Sequence, residues 1–111
     1  MKSVETYFGR IYIGFQEGYN GTIFSYEELK KVVKENINLV GAVNVVKNEY
    51  IYVDGDEPGA IVEIINYPRF PATKGEIREK TLELAEILKE KFKQYRVSVM
   101  FSDETMMLGE K

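Results

Sequence analysis

Residues Val40–Asn66, VGAVNVVKNEYIYVDGDEPGAIVEIIN, decide how this chain is wound. Residues 40–47 and 50–53 are rich in β-branched and aromatic side chains and are interrupted at Lys47-Asn48-Glu49, so they read as one long bent strand or two short ones. Asp54 to Gly59, DGDEPG, has the composition of a turn. Ala60 to Asn66 is again a strand, apolar except for Glu63 and the closing Asn66. A parallel crossover needs about a dozen residues or more, so a turn this short makes the two strands antiparallel neighbours.

Upstream, residues 7–16 (YFGRIYIGFQ) alternate: Tyr7, Ile11, Ile13 and Phe15 fall on one side, and Phe8, Arg10, Tyr12 and Gln16 on the other. A glycine-bearing connection, Glu17 to Thr22, leads to Ser25, which with Glu28 has capping-box spacing. Leu29, Val32, Val33 and Ile37 then recur at helical intervals, predicting an amphipathic helix over 26–37. Downstream, Tyr67-Pro68-Arg69-Phe70-Pro71 reads as a stiff extended connection, because each proline restricts itself and the residue before it. Thr73 and Glu76 repeat the capping-box spacing. Ile77, Thr81, Leu84, Ala85, Leu88, Phe92 and Tyr95 mark the inner face of a second helix, which Leu82 and Ile87 flank. Val97, Val99 and Phe101 alternate with Arg96, Ser98 and Met100 in a last strand, and Met106-Met107-Leu108 could add a short strand to a sheet edge.

The order is β-α-β-β-α-β. Right-handed crossovers fold it into one α+β, ferredoxin-like domain spanning 1–111, an antiparallel sheet with two helices on one face and the first strand between the third and fourth. In outline this resembles the small oligomeric PII-like signalling proteins, with which the chain shares no motif. The 111 residues contain no His, Cys or Trp. Disulfides, thiolate nucleophiles, iron–sulfur clusters, thiolate zinc sites and imidazole acid–base chemistry are therefore closed to it. A net charge of −3 argues against general nucleic-acid binding. The opening residues MKSVET carry acid early and begin no apolar signal segment, and no stretch approaches a membrane span, so a cytoplasmic protein is expected. The bias toward Glu and Lys is of the kind seen in thermophiles.

Helices cover only one face of such a sheet. The other would carry Phe8, Tyr12, Ile61, Ile65 and Met100 around Arg10, Glu63 and Arg96, too much contiguous apolar surface for a face that meets water. The preferred reading is self-association through this face, with Glu63 pairing with Arg10 or Arg96. Base stacking on the same face is disfavoured, because the third strand offers Ile61, Glu63 and Ile65 where RNA-recognition domains carry aromatics.

The remaining candidates are local. Gly18, Tyr19, Asn20 and Gly21 form a loop that could cradle an anion ahead of the capped helix, but more simply a tight turn with positive φ at Asn20-Gly21. Arg69, framed by prolines, suits a carboxylate or phosphate, though topology places it at the opposite end of the sheet from that loop. Asp54, Asp56 and Glu57 cluster without a cation-loop spacing and read as a solvated turn; no metal or cofactor is expected. Two function classes stand: the preferred one, a homo-oligomeric binding or interaction module, regulatory in type, and as the alternative a cofactor-free isomerase or lyase using Tyr, Arg, Lys and carboxylates at a subunit boundary. The latter needs Glu63 or a lysine shifted by burial, and a buried carboxylate beside Tyr or Arg would favour it.

Overall fold

The computed structural model describes residues 1–17 and 21–109. Five strands, β1 (Phe8–Gly14), β2 (Asn44–Tyr52), β3 (Gly55–Ile65), β4 (Arg96–Phe101) and β5 (Thr105–Gly109), form an antiparallel sheet in the order β2-β3-β1-β4-β5. Three helices, α1 (Tyr26–Glu35), α2 (Ile37–Val40) and α3 (Lys74–Lys91), pack on one face. The fold is the α+β, ferredoxin-like one, with β1 between β3 and β4 as expected. The 106–108 segment adds a fifth strand to its own sheet, with Met106 and Leu108 packed on the core.

Both helix starts follow their sequence signals. The Ser25 hydroxyl accepts the Glu28 N–H (3.1 Å), and Thr73 and Glu76 form a reciprocal capping box at 3.1 and 3.0 Å. At the C-terminus of α3, Lys93 takes a left-handed φ of 49° and the Gln94 N–H reaches back to the Lys89 carbonyl. This Schellman-type end, here without glycine, stops the helix before Tyr95. Tyr95 is therefore 55% exposed, not part of the inner face expected of it. Helix 26–37 is also interrupted at Asn36, whose side chain donates to the Val32 carbonyl (2.8 Å).

Two local expectations fail. DGDEPG is not the turn: the chain reverses at Val53-Asp54, where Asp54 has φ 67°, and Gly55 to Gly59 already belongs to β3. Pairing with β2 over nine registered positions overrides the turn chemistry of these residues. Pro58 is tolerated because its carbonyl points to the β1 side, where it takes the Phe15 N–H (3.1 Å), so no N–H toward β2 is missing. Second, Tyr67–Phe70 is not extended; the Phe70 N–H bonds the Tyr67 carbonyl (3.0 Å), with Pro68 early in the turn.

The core is the inward row of each strand, Ile11, Ile13, Ala60, Val62, Val97 and Val99, against Leu29, Ile77, Leu84 and Leu88. Gly9 lets α3 approach the sheet, since a β-carbon there would lie 2.6 Å from Thr81 Cγ2. At the β4–β5 corner Lys74 and Arg78 pair with Asp103 and Glu104, and the Tyr7 hydroxyl joins the group (3.3 Å to Asp103). The Lys74 ammonium holds the Asp103 carboxyl below its usual range, and Asp103 raises Lys74 in return. A depressed folded-state carboxylate contributes above about pH 4 and is lost as pH falls through that range. D103N is expected to lower Tm at pH 7, with the gap to the parent closing below about pH 4. Thermal unfolding by circular dichroism checks it; a gap still open at pH 2.5 would make the loss non-ionic.

Candidate functional site

The face opposite the helices is built by the outward row of the same strands. Register places Phe8 opposite Ile65, Arg10 opposite Glu63 and Met100, and Tyr12 opposite Ile61 and Ser98. Arg10 Nε donates to Glu63 Oε2 at 2.6 Å, and its guanidinium lies 4.1 Å over the Phe8 ring. The cross-strand partner of Glu63 is thus Arg10. Phe8, Tyr12, Ile61, Ile65 and Met100 are half-buried by one another, while Val46 and Met107 on the flanking strands are more exposed. All eight residues assigned to this face from the sequence share it; Arg96, at its edge, is exposed.

A second polar group sits where β1 ends. Gly14 and Gly59 face each other, so neither strand projects a side chain outward there. Tyr50, opposite Glu57 on β2, lays its ring across Gly59 and donates its hydroxyl to the Ala60 carbonyl (3.0 Å) and, longer, to that of Ile13 (3.3 Å). Glu57 Oε2 and Gln94 Oε1 lie 3.3 and 3.1 Å from the point a Gly14 β-carbon would occupy. Gln94 is fixed by donating to the Gln16 and Phe92 carbonyls, both at 2.8 Å. Continuing the β1–β4 register two positions past Tyr12–Ser98 brings Arg96 level with Gly14. Burial pushes the Tyr50 phenol up to about 12 and pushes the Glu57 carboxyl upward. A carboxylate, a phenol and an amide thus pack over two facing glycines, with the Arg96 strand alongside.

The other sequence candidates do not assemble with this niche. Gly18, Tyr19 and Asn20 lie outside the described residues. Gly21 is described: its N–H bonds the Glu17 carbonyl (2.9 Å), and a side chain would strike that carbonyl. Arg69 is exposed beyond the far end of β3, 5.3 Å over the Phe70 ring. Asp54, Asp56 and Glu57 are separated by the geometry of the strand: Asp54 stays in the turn, and alternation sends Asp56 and Glu57 to opposite faces. Among the described residues no three acidic side chains converge on a point that could hold a metal ion.

No protein-family model matches the chain, and no curated protein matches it in sequence. In fold the chain is similar to phage SAM lyase. The structure of that enzyme in complex with S-methyl-5'-thioadenosine superposes with a TM-score of 0.78 at 17% identity, covering 99% of this chain and 94% of the other. Its apo state gives a TM-score of 0.68 at 19% identity, over 95% and 90%. At such identities the likeness is one of fold.

Nothing in the sequence singled out Tyr50 or Gln94, and Glu57 read there as part of a solvated turn. A signal did exist, since strand alternation counted back from Ala60 sends Gly59 and Glu57 to the open face. Proline, glycine and aspartate in the same stretch concealed it. No described helix is long and apolar enough to cross a membrane.

Proposed function

We propose that this chain is a small lyase acting on a sulfonium nucleoside of the S-adenosylmethionine type, with its site on the open sheet face where copies of the chain meet. The observation that carries the reading is the near end-to-end likeness of fold to phage SAM lyase. The niche adds support, because a half-buried carboxylate pushed upward by desolvation beside a half-buried tyrosine leans toward an enzyme over a binding module.

The chemistry suits a chain without His or Cys. When S-methyl-5'-thioadenosine is released from S-adenosylmethionine, the bond between sulfur and the aminobutyryl carbon breaks and its electron pair returns to sulfur. The sulfonium charge disappears as the bond stretches, so a low-polarity site that excludes water favours the step. A lyase consumes no water. The carbon left behind is satisfied from within the substrate, by loss of a neighbouring proton or by attack of the substrate's own carboxylate. Glu57 is the protein group placed to receive a proton, and the aromatic faces of Tyr12 and Tyr50 suit a sulfonium cation. Self-association closes the site by covering the apolar row of Phe8, Ile61 and Ile65.

Incubation with S-adenosylmethionine, followed by chromatography and mass spectrometry, is expected to show S-methyl-5'-thioadenosine formed in proportion to protein. E57Q, folded by circular dichroism, is expected to form it about tenfold more slowly or worse. Folded protein that leaves S-adenosylmethionine intact would defeat the lyase reading. Saturable binding of S-methyl-5'-thioadenosine without turnover would return the chain to the binding-module class.

A further inference from the structure

At the end of the sheet away from the β2–β3 turn, a cavity of about 340 Å3 opens between the Val40–Ala42 link, the last residues of β3, the Tyr67–Ala72 loop and the first turns of α3. We propose that it is a second binding site, away from the Gly14–Gly59 niche, for a small monocarboxylate with an aromatic or branched aliphatic body. The volume is within the range of small-molecule pockets, roughly 300–1,000 Å3.

The wall is set before any ligand arrives. The Asn66 amide donates to the Glu5 carbonyl (2.8 Å) and its oxygen accepts the Ala72 N–H (2.9 Å), pinning both ends of the loop that presents Tyr67 and Phe70. Ile64 and Ile77, both buried, form an apolar floor, and Phe70, 70% exposed, stands at the lip. The mouth is open on the opposite side. Gly41 adopts φ 85°, and a β-carbon there would meet no atom within 4 Å.

The charge of the ligand follows from Lys80, the one acidic or basic residue lining the cavity. Among the described residues it makes no ion pair within 4 Å. Glu76, one turn earlier, feels its field, but the Glu76 carboxylate is engaged at the Thr73 cap. A half-buried lysine lining an apolar hollow is matched by an anion whose body fills the hollow and whose carboxylate reaches Lys80, with Tyr67 as a second lining residue that carries a polar group. Two apolar walls and one cation call for a short acid; a polyphosphate or a sugar would leave most of its polar groups without partners.

The probes are 3-phenylpropionate and the neutral 3-phenylpropanol, titrated into the full chain and followed by methyl-resolved NMR. The acid is expected to give saturable shifts at Val40, Ile64 and Ile77 and to bind about tenfold tighter than the alcohol. K80Q is expected to remove that preference while leaving the alcohol unchanged, and A72L, which fills the cavity, to abolish both. The site is overturned if these methyls do not respond, if acid and alcohol bind alike with K80Q indifferent, or if the same methyls shift on diluting protein without probe, which would mean a second copy fills the cavity. None of these readouts depends on turnover, so the result stands apart from the lyase assay.

Discussion

G9A is expected to cost about 2–3 kcal/mol, the upper part of the range for forcing a group into a filled core. The added methyl would sit 2.6 Å from Thr81 Cγ2, 2.8 Å from its Cβ and closer still to its hydroxyl oxygen. Neither neighbour can give way. Thr81 is fully buried, its χ1 is stiff by β-branching, and its hydroxyl is tied to the Ile77 carbonyl at 2.7 Å. Gly9 belongs to the central strand, paired with Ile64 on one side and Phe101 on the other. Strain is therefore relieved only by lifting α3 off the sheet, which opens the core along Ile11, Leu84 and Val99. For a chain of this size the loss corresponds to a Tm lower by roughly 10–15 °C. T81A takes away the two nearest atoms, so the double variant G9A/T81A is expected to recover part of the loss, Cβ remaining in contact. Differential scanning calorimetry of the single and double variants checks both. A G9A protein as stable as the parent would mean that α3 does not rest on Gly9 in solution.

That contact shows where sequence reasoning succeeds and where it stops. The glycine at 9 interrupts an alternating strand without harm to the reading, because Tyr7, Ile11, Ile13 and Phe15 keep the period on either side of it. β4 is equally plain, and the two helix starts are local signals that nothing distant contradicts, a full capping box at Thr73 and a side-chain cap at Ser25. What could not be read is what distant pairing decides. Gly55 to Pro58 carry turn chemistry and become strand because β2 holds them in register. Tyr95 keeps the helical period of α3 but lies past an end set by the backbone of Lys93. The niche over Gly14 draws on β1, β2, β3 and the approach to β4, and its carboxylate lies inside the misread stretch. The outward row of apolar residues, by contrast, needed only the period of each strand and the topology. That is why Phe8, Tyr12, Ile61 and Ile65 could be grouped before any coordinates.

The same row supports the second large effect. I61E is expected to turn an assembly into monomers. Ile61 stands opposite Tyr12 on β1 and Val46 on β2, in the middle of the open face, with Glu63 two residues along on the same side. In an isolated chain the new carboxylate reaches solvent past half-buried neighbours, so the fold and its Tm should change little. Across a closed contact it would be buried beside an Arg10 already paired with Glu63, at a cost of several kcal/mol. Association should then weaken by about a hundredfold or more, which moves a micromolar equilibrium out of reach. Sedimentation velocity at micromolar concentration is expected to give an oligomer for the parent and a monomer for I61E. A parent that sediments as a monomer removes the contact altogether. Because Glu57, Tyr50 and Arg10 border the same face, formation of S-methyl-5'-thioadenosine should fall in step with assembly when the site spans two copies. Turnover that survives in a monomeric I61E protein would instead place the whole reaction within one chain, on the Gly14–Gly59 niche alone.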